Sequence, residues 1–160
     1  MHITQITSAH REQVALFLQR NWGSAQMIVS SGTYQCEQLD GFIVEENNEI
    51  IGLITYVIRL DEIEIISLDS LQEGKGIGSA LMNKVEHIAR QNQLLAISLI
   101  TTNDNLNALK FYQKRSYRMV SVIPDAVNQA RKLKPSIPLI GNEGIPLTDE
   151  LQLRKRLTES

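Results

Sequence analysis

One cysteine, Cys36, stands in 160 residues, so no disulfide can close within the chain and nothing calls for an oxidising compartment. No window approaches the roughly 20 consecutive apolar residues that cross a bilayer. Met1-His2-Ile3-Thr4-Gln5 lacks the basic start and apolar run of a signal peptide, which makes the cytoplasm the expected compartment. An excess of one charge is lacking too: 16 basic against 18 acidic side chains leave a formal charge of −2, which removes the electrostatic case for nucleic acid or an anionic membrane as main partner. The histidines, His2, His10 and His87, have no partner at metal-ligand spacing, and Cys36 sits in Gln-Cys-Glu without a nucleophile's context. Neither a metal site nor a reactive thiol is expected, and no internal repeat or low-complexity segment occurs.

What remains is a mixture of 42% hydrophobic and 21% charged residues, enough to cover a core with a wet surface, at a length that predicts one domain over residues 1–160. The apolar period gives the order of elements. A short strand over 2–7 leads to a helix over 9–19, capped by Thr7 or Ser8, with Val14, Ala15, Phe17 and Leu18 on one face. Strands follow at Met27–Val29, Gly41–Val44, Ile50–Ile58 and Glu62–Leu68, with Glu46-Asn47-Asn48-Glu49 as a hairpin turn. The second half changes character: a glycine-rich turn, a helix with Ile77, Leu81, Val85, Ile88 and Ala89 as its buried stripe, a strand over 94–101, a helix over 105–115 and a strand over 117–123. A short helix capped by Asp125, with Ala126, Ala130 and Leu133 on one side, ends at Pro135, and Leu151, Leu153 and Leu157 alternate as on a half-buried strand. The class is α/β in its α+β form. Its sheet is mixed because the strand-helix-strand unit makes a right-handed crossover between parallel strands.

The segment that carries chemistry is Glu73-Gly74-Lys75-Gly76-Ile77-Gly78-Ser79, between a strand ending in Leu68-Asp69-Ser70 and a helix. Alternating glycines there place unhindered amides at a helix N-terminus, where partial positive charge and unpaired N–H groups favour a phosphate or pyrophosphate. It is not a nucleotide P-loop, which needs a Gly-Lys-Ser/Thr ending, nor a dinucleotide fingerprint, because Ser79 follows where the third glycine belongs. A tight turn with no ligand is the competing reading. The strand before it slips its period between Ile65 and Ile66, as a β-bulge does, although burial on both faces gives the same pattern.

Gly74-Lys75-Gly76-Ile77-Gly78 resembles motif A of the GNAT N-acetyltransferases, with Glu73 where that family usually has Arg or Gln. Downstream, Asn105, Ala108, Phe111, Tyr112 and Tyr117 resemble the family's Asn-x-x-Ala-x-x-Phe/Leu-Tyr-x-x-x-Gly-Phe/Tyr, with Ser116 where glycine is usual. The resemblance covers residues 3 to 123. It implies a mainly antiparallel twisted sheet with helices on both faces and two central strands that splay near Leu68 and Leu99. It also implies acetyl-CoA as cosubstrate and acetyl transfer to a primary amine, in a small molecule or a protein, by direct attack in a ternary complex. The cofactor-binding set it implies is Leu68, Asp69, Ser70, Glu73, Gly74, Lys75, Gly76, Ile77, Gly78, Ser79, Asn105, Ala108 and Tyr112.

Tyr112 matches the position whose phenol protonates the departing sulfur; without the resemblance it is a buried helix aromatic. Glu64, with Glu62 on the same face, lies where many members carry the strand carboxylate that deprotonates the amine, or is a solvated edge-strand charge. The basic residues Lys110, Lys114, Arg115, Arg118, Arg131, Lys132 and Lys134 are candidates for the cofactor's 3′-phosphate. The stretch Pro135 to Pro146 is expected to border the acceptor. An acyl-CoA-binding module without turnover is the alternative, motivated by Glu73 and Ser116. No metal is expected, and a homodimer is compatible with the chain.

Overall fold

The computed structural model describes residues 1–72 and 74–157. The fold is α+β, with four α-helices and a mixed, mostly antiparallel sheet of seven strands, plus a separate two-stranded ribbon. The chain divides into two compact units, one of Met1–Met27 and Tyr34–Ile97 with Leu157, the other of Ile28–Thr33 and Ser98–Arg156.

In the first unit, β1 (Ile3–Gln5), β4 (Asp40–Glu46), β5 (Glu49–Arg59) and β6 (Glu62–Ser70) are neighbours in that order, each pair antiparallel. The β4–β5 hairpin turns on Asn47 and Asn48, with φ of 54° and 63°. Two successive left-handed residues match the right-handed twist of the strands, and asparagine accepts that conformation at little cost. Helix α1 (Arg11–Trp22) starts later than its apolar pattern predicts, because a 3₁₀ turn over Ser8–His10 comes first, with the Thr7 amide donating to His10 Nδ1 at 2.9 Å. Val14, Phe17 and Leu18 form its buried face, and Gly23 closes it in the left-handed conformation. Helix α2 (Ile77–Gln91) buries Ile77, Leu81, Met82, Val85 and Ala89 against β4, β5 and β6.

Strand alternation fixes which helix each side chain meets. A Cβ on Gly52 would stand 2.5 Å from Ile77 Cγ2, so Gly52 and its partner Ser70 face α2. The next pair, Leu53 and Asp69, faces the other way, and there Asp69 meets Trp22 of α1. The first unit thus carries a helix on each face of its sheet.

The register slip on β6 is a bulge: Thr55 pairs with Ser67 and Tyr56 with Ile65, which leaves Ile66 opposite no residue of β5. Residues Ile63 to Ser67 are also buried on both faces, so the two readings of the pattern hold together.

The second unit contains most of β7 (Ala96–Thr102), α3 (Leu106–Lys114), β8 (Arg118–Ile123), α4 (Ala126–Leu133) and β9 (Glu150–Arg156), with β8 and β9 antiparallel. Two expectations are corrected here. Asp125 stands at the N-cap position of α4 as expected, but its side chain makes no capping bond. Its own φ is 64°, and its carboxylate accepts from the side chains of Asn128 and Gln129 instead of the backbone. Leu133 is 73% exposed, because Val127 recentres the buried stripe on Ala126, Val127 and Ala130 and leaves the helix's last residue at its edge. Of the two-stranded ribbon, β2 (Gln26–Val29) follows the apolar run at Met27–Val29, while β3 (Gly32–Gln35) is too short and polar to show in the sequence pattern.

Candidate active site

The turn between β6 and α2 has the conformation its glycines suggest. Gly74 and Gly76 hold φ at 77° and 74°, a region in which any other residue is strained, and a Cβ at either would meet nothing within 4 Å. Glycine is needed here for backbone shape, and the space above the turn is open. Gly76 is the N-cap of α2, and the first helical bond runs from the Ala80 amide to the Gly76 carbonyl at 3.0 Å. By helix geometry the amides of Ile77, Gly78 and Ser79 therefore have no acceptor inside α2. Ile77 is buried and anchors the turn, while Gly74, Lys75 and Gly76 are exposed. Glu73 lies outside the described residues. The turn presents amides and positive helix-end charge to solvent, with Lys75 beside them, a donor arrangement that suits an anion.

The strand leading into it separates its side chains. Ser70 lies on the α2 face, and its hydroxyl donates to the Gln72 carbonyl at 3.3 Å. Asp69 lies on the opposite face, where its Oδ1 accepts from Trp22 Nε1 at 2.7 Å. Burial pushes the Asp69 carboxyl up to about 6, with the indole hydrogen bond working against the rise. Leu68, Asp69 and Ser70 can thus offer a cofactor their main chain, but the Asp69 carboxylate points away from the α2 side.

Glu64 is not a solvated edge charge. β6 is an inner strand, and Glu64 is 8% exposed with Oε1 receiving Arg59 Nη1 at 2.5 Å. Arg59 also bonds the Tyr34 hydroxyl and stacks over the Tyr34 ring at 5.7 Å. The Glu64 bond, foremost, holds the guanidinium above its ordinary range. Sequence reasoning missed this cluster, because Arg59 and Glu64 meet only across a hairpin turn and Tyr34 comes from the unforeseen β3. Glu62 is half-buried two residues before Glu64.

In the second unit, Asn105 is the N-cap of α3, and its Oδ1 accepts from the Ala108 amide at 3.2 Å. The Asn-x-x-Ala spacing is therefore a helix start in physical terms. Tyr112 is buried, edge-on to Phe111 at 5.2 Å and to Tyr117 at 5.7 Å. Ser116, where glycine is usual, holds φ at 73°.

Arg131 is withdrawn from the phosphate candidates, since its guanidinium donates to the carbonyls of Ile137, Pro138 and Leu147 at 2.8 to 3.0 Å. The stretch after Pro135 is held down further by Asn103, whose side chain bonds the Pro146 carbonyl and the Thr148 and Asp149 amides. Buried Asp104 accepts from the Asn142 amide at 2.9 Å. Among the described residues no group of three His, Cys, Asp or Glu side chains is placed to hold a metal, and no helix is long and apolar enough to cross a membrane.

The family model of the Acetyltransferase (GNAT) family matches residues 8–117. The chain belongs to the GNAT family. It is 49% identical over 158 residues to YxbD of Bacillus subtilis (strain 168), an uncharacterized protein, covering 98% of this chain and 99% of that one. Two solved GNAT structures show the same fold. One, described as IAA acetyltransferase from Bacillus cereus ATCC 14579, superposes with a TM-score of 0.71 at 20% identity over 98% of this chain and 99% of its own. The other, from Elizabethkingia anophelis with acetyl-CoA bound, gives 0.70 at 19% identity over 98% and 97%. The matched segment contains both the β6–α2 turn and the Asn105 to Tyr117 motif, so both belong to the part of the chain that defines the GNAT family.

Proposed function

We propose that this GNAT protein transfers the acetyl group of acetyl-CoA to a primary amine, by direct attack of the amine within a ternary complex. The observation that carries the reading is the β6–α2 turn: two left-handed glycines, open space above them, and three α2 amides with no acceptor in the helix. That donor set suits a diphosphate, so the residues present fit the cofactor. Acetyl-CoA supplies an acyl group activated as a thioester.

The chain's residues do the rest. The amides of Ile77, Gly78 and Ser79 hold the diphosphate, with Lys75 adding charge at the rim. The main chain of Leu68, Asp69 and Ser70 lines the cofactor's path, and the bulge at Ile66 breaks the β5–β6 ladder so that a backbone N–H can polarise the acyl carbonyl. Asn105 fixes the start of α3, with Ala108 one turn on, and Tyr112 Oη delivers a proton to the departing sulfur. A thiolate with a pKa of about 8.5 needs only modest help.

A base must free the amine. The GNAT resemblance offers Glu64 or Glu62. Glu64 accepts from Arg59 at 2.5 Å in an ion pair whose Arg59 side is half exposed, and on this reading it serves as a positioning group for the bulged strand.

The test is thiol release from acetyl-CoA across a panel of amines. Amine-dependent release is expected, and Tyr112→Phe should cut turnover while leaving cofactor affinity within about twofold. Cofactor binding with no release from any amine would instead support the non-catalytic module, and unchanged turnover in Tyr112→Phe would remove it from the mechanism.

A further inference from the structure

β6 carries three carboxylates, Glu62, Glu64 and Asp69, and only Asp69 lies beyond the bulge, five residues before the first glycine of the anion turn. Its side chain projects to the face opposite α2, so its negative charge is kept off the diphosphate site. One oxygen is fixed by the Trp22 indole at 2.7 Å, and Trp22 itself is 65% exposed. A half-buried carboxylate clamped to a solvent-facing aromatic ring is the pairing that binds an organic ammonium: the carboxylate takes its hydrogens and the ring face takes its charge.

We infer that Asp69 and Trp22 form the acceptor subsite, in which the Asp69 carboxylate binds the substrate's primary ammonium and takes its proton. This rests on the acetyltransferase reading. One N–H proton passes to Asp69 Oδ2, the freed nitrogen pair attacks the thioester carbonyl carbon to form the C–N bond, the C–S bond breaks, and the sulfur takes the proton of Tyr112. The amide nitrogen sheds its second proton to solvent, and solvent returns one to the Tyr112 phenolate. The acid formed on Asp69 then loses its proton to solvent. The proton affinity of the carboxylate fits this step, since at about 6 Asp69 is ionised near neutral pH yet a better acceptor than an ordinary aspartate. Burial raises it and the indole lowers it; Leu53 stands opposite on β5, and no ionised side chain among the described residues contributes.

Trp22 is the chain's single tryptophan, so its fluorescence reports on the subsite directly. Titrating wild type at pH 7.5 with n-butylammonium chloride should give a saturable change, absent with n-butanol and absent in Asp69→Asn. Asp69→Asn should also lower kcat/KM for amine-dependent thiol release by about a hundredfold while binding acetyl-CoA within about twofold of wild type. Trp22→Phe removes the donor that holds the Asp69 pKa down, so the acidic limb of its kcat/KM profile should move to higher pH; this arm stands even if Asp69→Asn folds poorly. An equal response to the alcohol, a wild-type response in Asp69→Asn, loss of acetyl-CoA binding in Asp69→Asn, or an unmoved limb in Trp22→Phe would overturn the inference. A wild type that binds ammonium through Asp69 but never binds acetyl-CoA would sink the acetyltransferase reading and leave the subsite standing.

Discussion

Ser116 holds φ at 73°, a conformation that costs a residue with a Cβ roughly 1–2 kcal/mol and glycine almost nothing. Part of that gain is lost because glycine has more freedom to surrender on folding, so Ser116→Gly should stabilise the protein by about 0.5–1 kcal/mol, measured as the shift in a denaturant midpoint. A destabilised variant would show that the serine hydroxyl matters more than the backbone. Asp69 gives a second prediction at this scale. Its carboxyl titrates near 6 in the fold against 3.8 ordinarily, so between those values the folded chain binds more proton than the unfolded one. Its contribution to stability is therefore fullest below pH 4 and is lost as pH rises through 6. Asp69→Asn mimics the protonated form: it should match wild type at pH 4 and exceed it at pH 7 by on the order of 2 kcal/mol. Equal pH dependence in the two proteins would contradict the shift.

At the scale of elements, the anion turn depends on how α2 is seated. Gly52 on β5 allows Ile77, the first residue of α2, to approach so closely that an added Cβ would stand 2.5 Å from it. Gly52→Ala should push Ile77 outward, move the amides that follow it, and weaken acetyl-CoA binding by about tenfold or more, read by calorimetry on a folded variant; unaltered affinity would mean that the seat does not set the site. Sequence periodicity foresaw α2 and marked the slip between Ile65 and Ile66, but it could not tell a bulge from burial on both faces, because both leave the same spacing of apolar residues. It could not foresee the Arg59, Glu64 and Tyr34 cluster or the Trp22–Asp69 bond, which depend on pairings between distant segments. It misjudged Leu133 for a related reason: a helix of eight residues gives too short a pattern to locate the centre of its stripe.

For the whole molecule, most of the order of elements was legible in the apolar period and the family in two short motifs, since a glycine pair in left-handed conformation and an asparagine helix cap each demand particular residues at fixed spacing. The division into two compact units was not, because it follows from which strands pair and the chain's period is silent on that. The acetyltransferase reading depends on the β6–α2 turn gripping a diphosphate. Gly76→Asp tests this most directly, as it puts a negative charge at an exposed cap whose φ of 74° already disfavours any side chain. Calorimetric titration with acetyl-CoA should give saturable binding in wild type and none in folded Gly76→Asp. Binding of equal strength in both, or no heat with the wild-type protein, would contradict the account.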